Sequence, residues 1–229
     1  EVKALYHKDN TPACVYLTIG GNEYGPRNIL SGSVTLTESI CSGEVFDLSS
    51  VEKNSLEFTL INIEQDISEL QGQTVVAVHR LTLGDNSTYD LLLGTFTIVN
   101  AQNDGDYLIK CTCYDGMMSF DNIIDDWRNA LEFPITVGEI LTGLCTHCNV
   151  PYNFTGAYNM DFVVTARPTY FEGVKHSELL GYIQEILCGF VKINRTGSAE
   201  IIGKYDSALY PSEVLYPKEG MYPAEIYTY

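Results

Sequence analysis

The stretch "YDLLLGTFTIVNAQNDGDYLIKCTCYD", residues 89–115, decides how the first half of the chain folds. Two strand-like runs flank an Asn-Asp-Gly sequence at residues 103–105. Alternation of apolar and polar residues with a period of two is typical of a strand with one buried face, and Asn, Asp and Gly are favoured in tight turns. The stretch therefore predicts a β-hairpin.

The same period of two extends back to Ala13. Earlier segments of this kind are "CVYLTI", which a "GGN" turn follows, "SVTLT", "SLEFTL" and "TVVAVHRL". About six strands in a hundred residues, with turn residues between them, are typical of a meander, a sandwich or a small barrel. Residues 13–115 are therefore predicted to form an antiparallel β domain.

The period changes to that of a helix after Asp115. Ser119 is placed to cap a helix whose apolar residues continue to Leu131, and Pro134 ends that segment. A second helix is predicted from Thr136, because Thr136 and Glu139 have the spacing of a capping box. Its expected buried stripe is Val137, Ile140, Leu141, Leu144, Cys145 and Cys148.

A third helix and a second hairpin follow a loop. "DFVVTARPTYF", residues 161–171, predicts one short strand. Ser177 is placed to cap the third helix and Gly189 to end it. "FVKINRTGSAEIIGKY" then predicts a β-hairpin that turns at Thr196–Gly197. Because strands and helices are segregated and do not alternate, the predicted fold class is α+β, mainly β.

The last segment carries a short repeat. In "LYPSEVLYPKEGMYPAE" the pattern Leu/Met-Tyr-Pro-x-Glu occurs three times with a period of six. Its tyrosines are Tyr210, Tyr216 and Tyr222. Proline removes a backbone donor and fixes φ, so the segment is predicted to be extended and to lie on another surface. Three repeats are too few for an independent solenoid.

The composition excludes several classes of function. Thirteen basic and 30 acidic side chains give a formal charge of −17, which opposes binding to duplex DNA or to anionic lipid. No apolar run approaches the length of a membrane span. Seven cysteines, an odd number in a chain of this length, favour a reducing compartment with free thiols. The sequence begins "EVKALYHKDN", without Met or a signal segment, so we expect a processed start or a chain cut from a longer one.

The motif "CTHC" is the sharpest candidate for a metal or redox site. A zinc site needs two further ligands beside Cys145 and Cys148, and a redox dithiol should follow a strand and open a helix. Cysteines at i and i+3 face one side of a helix, here the apolar side, so packing is the preferred interpretation. Cys111 and Cys113, on one strand face with Tyr107 and Ile109, are also assigned to the core.

Candidate catalytic groups lack the required context. The serines of "SGSVTLTES" are not in a G-x-S-x-G elbow, and no phosphate-binding glycine motif is present. Acidic groups such as Asp125–Asp126 and the set Glu64, Asp66 and Glu69 could host glycoside hydrolysis, but are more often solvated charge. No enzyme activity, cofactor or metal is predicted. The alternatives are a cell-wall hydrolase and a carbohydrate-binding module that uses surface tyrosines.

The order of several segments resembles a known family. These segments are "YGPRNILSGSVTLTESICSG", "SLEFTLIN", "LQGQ", "LLLGTFTIV", "YLIKCTCYDGMMSFD", "DDWRNALEFPITVGEIL" and "CGFVKINRTGSAEII". Together they resemble the N-terminal part of tail-tip hub proteins of phages and prophages of Gram-positive bacteria, which are similar to the baseplate hub of contractile tails. The "LYPSE" repeat resembles a segment that follows that region.

The resemblance implies a ring of three copies that continues the tail tube. Each copy would contribute β-barrel tube domains with small α+β insertions. Residues 1–115 would be the first barrel, 116–150 a helical pair, 151–206 a small α+β unit, and 207–229 the start of a truncated second tube domain. The implied partners are further copies of the chain and other tail proteins: the distal tail or tube protein, the tape measure and the tail fibre.

The implied function is structural. The protein would join the tail tube to receptor-binding or lytic parts and form part of the DNA passage at the virion tail tip, after assembly in the bacterial cytoplasm. Ser33, Thr35 and Thr37 line one face of a strand, so we expect them on a wet face or at a subunit interface, with Val34 and Leu36 turned toward the core. The repeat tyrosines are further interface candidates.

Overall fold

The first half of the chain forms one antiparallel β-sheet. A computed structural model of the chain describes residues 13–40, 47–61, 67–83, 85–122, 127, 130–166 and 173–203. The sheet strands are Ala13–Ile19 (β1), Asn22–Tyr24 (β2), Thr35–Thr37 (β3), Ser55–Ile61 (β4), Thr74–Thr82 (β5), Thr88–Asn103 (β6) and Leu108–Tyr114 (β7). Their order across the sheet is β2-β1-β5-β6-β7-β4-β3. A short helix, Ile67–Leu70 (α1), lies between β4 and β5.

The predicted hairpin of β6 and β7 is confirmed, and so is its period of two. Ile109, Cys111 and Cys113 are buried, and the residues between them are half-buried. The turn has Gly105 at φ 110°, a left-handed conformation that glycine adopts without steric cost. Tyr107 is 75% exposed and precedes the strand, so its predicted place on the core face is wrong.

The buried faces of the strands enclose the first core. It contains large side chains from both ends of the strand order, with Leu17 and Ile19 from β1 and Leu56, Phe58 and Leu60 from β4. Burying an apolar side chain of this size stabilises a fold by about 1.5–3 kcal/mol. This core is the main reason that the sheet is stable.

The closed barrel expected from the sequence is not found among the described residues. The strand order is open between β2 and β3, and each of these strands is three residues long. One bridge spans part of the opening, because Ile29 pairs with Leu60 of β4. After β2, which ends the strand order on one side, the chain therefore runs through Ile29 to a position beside β4, near the other side of the strand order.

A charged cluster crosses the outer face of the sheet. The Arg80 guanidinium on β5 donates two hydrogen bonds to Glu23 of β2, at 3.1 and 2.9 Å, and two to Asp90 of β6, at 2.7 and 2.9 Å. It also lies 4.2 Å from the ring centroid of Tyr16 on β1. Hydrogen bonds to Arg80 hold the pKa of Asp90 below its usual range. The cluster ties four neighbouring strands together.

The second half of the described chain combines helices with two small sheets. Its elements are a 3₁₀ helix at Gly116–Asp121, Ile135–Thr136 (β8), Val137–His147 (α2), Val163–Val164 (β9), His176–Leu187 (α3), Gly189–Ile193 (β10) and Ala199–Gly203 (β11). β8 pairs with β9, and β10 pairs with β11, both antiparallel. The predicted short strand and hairpin are therefore confirmed.

The capping box of α2 is confirmed. The backbone N–H and Oγ1 of Thr136 donate to Glu139 Oε2 at 2.9 and 2.7 Å, and the Glu139 N–H donates back to Thr136 Oγ1 at 3.2 Å. These bonds satisfy donors that the first turn of a helix leaves without partners. Val137, Ile140, Leu141, Leu144 and Cys145 of the predicted stripe are buried.

Three other helix boundaries differ from the prediction. The segment expected to begin at Ser119 starts as a 3₁₀ helix capped by Asp115, which ends in extended backbone at Asn122. The third helix, α3, begins after Lys175 and not at Ser177. It ends with Cys188 in the left-handed conformation, whereas Gly189 is the first residue of β10.

Gly189 has a different structural role from the one predicted. A Cβ atom there would lie 2.9 Å from the carbonyl oxygen of Ile202 on the paired strand. Glycine is therefore required for the close approach of β10 and β11, and not for the end of the helix.

A second core lies under α2 and α3. It contains Leu141 and Leu144 from α2, Leu180 and Leu187 from α3, and Val191 from β10. Residues predicted to form two separate units, 116–150 and 151–206, thus share one set of buried side chains.

Candidate functional site

The predicted interface residues on β3 lie at one end of the sheet. Thr35 and Thr37 are exposed, and Leu36 between them is half-buried against the first core, as expected from the alternation. Ser33 has a local structural role, because its Oγ donates to the Leu30 carbonyl at 2.7 Å and accepts from the Thr59 N–H at 3.0 Å. Thr35 and Thr37 are therefore placed where a neighbouring molecule could reach them.

Other predicted residues lie outside the described part of the chain. This is true of Tyr210, Tyr216 and Tyr222, and of the acidic candidates Glu64, Asp66, Asp125 and Asp126. Glu69 is described, and it is exposed on α1. The assignment of these tyrosines to an interface stays a prediction.

The two cysteines of "CTHC" pack against the second core. Cys145 is buried, and burial raises the pKa of its thiol to about 12. Cys148 ends α2 and is half-buried, with its Sγ 3.6 Å from Nδ1 of His176. In the part of the chain that the structure describes, no group of three or more His, Cys, Asp or Glu side chains could hold a metal ion. Both cysteines therefore lie on the apolar side of α2, where the sequence placed them, and the absence of a metal or redox role stays a prediction.

Cys111 and Cys113 are fully buried in the first core, and burial raises the pKa of both thiols. A thiol that stays protonated is a poor nucleophile and a poor metal ligand. Their assignment to the core is confirmed.

The junction between the two halves contains two buried polar side chains that each make several hydrogen bonds. Asp115, between β7 and the 3₁₀ helix, is 3% exposed. Its carboxylate accepts hydrogen bonds from the backbone N–H groups of Asn54 at 3.2 Å and Met117 at 3.1 Å. Burial raises its pKa to about 6, although these hydrogen bonds oppose the shift. Asp115 therefore links the last strand of the sheet to the start of the second half.

Gln184 makes a second link at the junction. It is fully buried on α3. Its Nε2 donates to the carbonyl oxygens of Leu48 at 3.0 Å and Ser50 at 2.9 Å, and its Oε1 accepts from the Val191 N–H at 2.7 Å. One side chain thus joins the loop before β4, the helix and the hairpin.

Close backbone packing and a third set of hydrogen bonds complete the junction. At Gly181, a Cβ would lie 2.6 Å from the Ser49 carbonyl oxygen, so α3 approaches this loop as only glycine allows. In the β10–β11 turn, Arg195 Nη1 donates to the Leu92 carbonyl at 3.1 Å, and its own carbonyl accepts from Thr95 Oγ1 at 3.2 Å. The hairpin is therefore tied to β6.

No pattern in the sequence predicted this junction. The partners of Gln184 are more than 130 positions away, and a single glutamine in an amphipathic helix resembles a solvated residue. The sequence feature that could have indicated a buried role for Gln184 is its position beside Ile183 and Leu187 on the apolar face of α3. A polar residue on such a face is expected to have buried hydrogen-bond partners.

None of the helices in the described part of the chain is both long and apolar enough to cross a membrane.

The comparisons with known proteins reveal similarity in structure only. No family model matches the chain, and no curated protein matches its sequence. Among solved structures, the chain is similar to a 43 kDa tail protein of prophage MuSo2 from Shewanella oneidensis, with a TM-score of 0.54 and 14% identity over 85% of this chain and 56% of that one. It is also similar to a tail protein from Neisseria meningitidis MC58, with a TM-score of 0.53 and 13% identity over 82% and 50%.

A third similar structure belongs to a complex of two named proteins. It is a chain of the Francisella PdpA–VgrG complex in its half-lidded form, with a TM-score of 0.56 and 10% identity over 91% of this chain and 34% of that one. The present chain spans between about a third and slightly more than half of these three chains. It therefore shares its fold with a prophage tail protein, a tail protein from Neisseria meningitidis and a chain of the PdpA–VgrG complex, which confirms at the level of the fold the resemblance to phage tail proteins expected from its sequence.

Proposed function

We propose that this chain is a non-enzymatic structural component of a phage or prophage tail tip or baseplate hub. The observation that carries the proposal is the similarity of fold to two prophage or bacterial tail proteins and to a VgrG-containing complex, over more than four fifths of the chain in each case. The tail-tip position and assembly in the bacterial cytoplasm are parts of this proposal that come from the sequence resemblance to proteins of Gram-positive phages.

The junction suits a structural role. A component that joins a tube to distal parts must transmit force between its own halves without separating. Gln184 and Asp115 provide buried hydrogen bonds between the halves, and Gly181 allows their backbones to approach closely. Buried and fully paired polar groups make an arrangement rigid and specific. The two halves would therefore move as one piece.

The ends of the sheet are the proposed contact surfaces. β2 and β3 end the strand order, and strands at a sheet edge are templates for pairing with another chain. Thr35 and Thr37 on β3 would lie at the interface between copies, with three copies in the complete protein. The distal tail or tube protein, the tape measure and the tail fibre are the other proposed partners.

The acidic composition supports a place beside the DNA passage. With a formal charge of −17, the surface repels phosphate groups and releases no counterions from DNA, so DNA would pass without binding. No specific binding to nucleic acid or membrane is part of the proposal.

The position in the particle can be tested directly. Antibodies raised against the purified chain would be used for immunogold electron microscopy of particles from the bacterium or phage that encodes it. We expect gold at the end of the tail that is distal to the capsid. Label on the capsid, or intact tailed particles without label, would contradict the proposal. Preimmune serum is the matched control.

The proposed trimer needs a separate measurement. Light scattering after size-exclusion chromatography, on the longest natural form of the protein, should give three times the mass of the chain. A monomer at the highest soluble concentration would refute the trimer but leave the tail location to the labelling experiment.

A further inference from the structure

An open groove with aromatic walls runs along the exposed side of α2. Its volume is about 410 Å³, within the ~300–1,000 Å³ typical of ligand sites. Trp127 forms one wall and Tyr152 another. The Trp127 ring stacks on His147, with centroids 5.5 Å apart and planes 18° apart. The Tyr152 ring stacks in the same manner on Phe154, with centroids 5.2 Å apart.

The helix is shaped to seat the tryptophan. A Cβ at Gly143 would lie 3.2 Å from Trp127 Cζ2, so a larger residue would displace the ring. Gly143 and His147 are one helical turn apart and therefore on the same side of α2. The wall formed by Trp127 is thus held by two residues of the helix.

Among the described residues, the lining also includes two threonines and a carboxylate. Thr142 and Thr146 donate their hydroxyl protons to carbonyls of the preceding turn, which leaves oxygen lone pairs for a ligand. Both cap hydrogen bonds from Thr136 end on Oε2 of Glu139, so Oε1 is not used by the cap. These bonds lower the pKa of Glu139, which is therefore ionised at neutral pH. The groove combines aromatic faces with a carboxylate.

Proline-rich segments bind to grooves of this kind. An extended proline segment loses little entropy on binding, and it packs its rings against Trp and Tyr side chains. The chain has such a segment in its Tyr-Pro repeat, which lies outside the described residues. We propose that the repeat docks in the Trp127–Tyr152 groove of its own chain. This proposal does not depend on the tail-tip function.

The connection is short enough for docking within one chain. Tyr152 forms a bridge with Ala199 of β11, and the strand ends four residues later at Gly203. Four strand residues span about 13 Å. Pro217 lies fourteen residues beyond Gly203, and an extended proline-type segment of that length reaches about 43 Å. The repeat can therefore reach the groove with chain to spare.

The negative charge of Glu139 favours the second of the three Tyr-Pro repeats as the segment that binds in the groove. The three repeats read Tyr-Pro-Ser, Tyr-Pro-Lys and Tyr-Pro-Ala, so only the middle one has a cation next to its proline. We assign Tyr216 and Pro217 to the aromatic walls and Lys218 to the carboxylate of Glu139. A partly desolvated cation between a carboxylate and a tryptophan is stabilised by both.

The single tryptophan makes the test specific. Trp127 is the only tryptophan in the chain, so its fluorescence, excited where tyrosine does not absorb, reports on the groove alone. Acrylamide quenching would be measured on the full chain and on Pro217→Ala, with Pro211→Ala and Pro223→Ala as matched controls. A short tether holds its end at an effective concentration on the order of 1 mM, so even millimolar affinity fills about half of the grooves and Pro217→Ala should raise the quenching constant about twofold.

The controls should leave the quenching constant unchanged, and a synthetic peptide of residues 214–220 should restore protection to the Pro217→Ala chain. Equal quenching in all four proteins would overturn the proposal, and an equal rise in all three variants would overturn the choice of the middle repeat. Protection that disappears on dilution of the protein would show that the segment comes from a second copy, which would overturn docking within one chain.

A chemical cross-link provides a second measurement on the unaltered chain. Carbodiimide joins a carboxylate directly to a nearby amine, and the expected product links Glu139 to Lys218. In a mixture of isotopically heavy and light chains the product should be heavy–heavy or light–light. Mixed products, or the absence of a link between these residues in a sample where other links form, would overturn the proposal.

Discussion

Replacing Gln184 should separate the contribution of the junction from that of the two cores. The change Gln184→Met keeps the length of the side chain but removes its three hydrogen bonds to Leu48, Ser50 and Val191. A net hydrogen bond contributes about 1 kcal/mol, and a buried polar group that loses its partner adds to the cost. We therefore expect Gln184→Met to lower the free energy of unfolding by about 3–5 kcal/mol.

The assay is urea unfolding followed by two probes. Trp127 packs against the second core, so its fluorescence reports on the second half, whereas far-ultraviolet circular dichroism reports on the strands of both halves. In the unaltered protein the two transitions should coincide if the junction couples the halves. In Gln184→Met they should separate, because the link between the halves is lost. Gln102→Met, the same change at an exposed position on β6, is the matched control and should alter stability by less than about 0.5 kcal/mol.

A loss below about 1 kcal/mol in Gln184→Met would refute the reasoning, because it would mean that the three hydrogen bonds contribute nothing beyond those made with water. If the two transitions of Gln184→Met still coincide and both move to lower urea concentration, Gln184 stabilises the protein but does not couple the unfolding of its two halves.

Three further predictions concern a carboxylate, a guanidinium and the thiols. Burial raises the folded-state pKa of Asp115 to about 6, above the value in the unfolded chain, so the folded protein binds a proton at Asp115 more tightly than the unfolded chain does. The free energy of unfolding therefore falls as the pH rises from the unfolded pKa to the folded one. The unfolding free energy of Asp115→Asn relative to the unaltered protein should therefore rise by about 2 kcal/mol between about pH 4 and pH 6, and a flat difference in urea titrations would contradict this. Arg80→Ala should cost about 1 kcal/mol at low salt and less in molar salt, since its partners are surface carboxylates; an effect independent of salt would contradict an electrostatic origin. Iodoacetamide on the native protein should modify the exposed Cys14 and Cys188 before the buried thiols, as read by peptide mass spectrometry, and rapid labelling of the buried thiols would contradict the assigned cores. Among the described cysteines, the buried ones are Cys111, Cys113 and Cys145.

Local patterns predicted the elements that depend on near neighbours. The alternation in β7 and the capping box of α2 each depend on residues only a few positions apart, and the structure contains both. Boundaries decided by competition between neighbouring groups were less accurate. Asp115 and not Ser119 caps the 3₁₀ helix, because the chain leaves β7 with the Asp115 carboxylate already beside the Met117 N–H.

The sequence by itself determined which residues face inward and which class of fold they build, because side-chain periodicity is a property of the local backbone. Only the tertiary structure decided how the two halves join, where the sheet stays open, and which residues meet along α2. Gln184 contacts carbonyls more than 130 positions away, and Trp127 stacks on a histidine of another segment. Such pairs carry no periodic signal, since they form only when the packing of the cores brings distant backbone groups within hydrogen-bond distance.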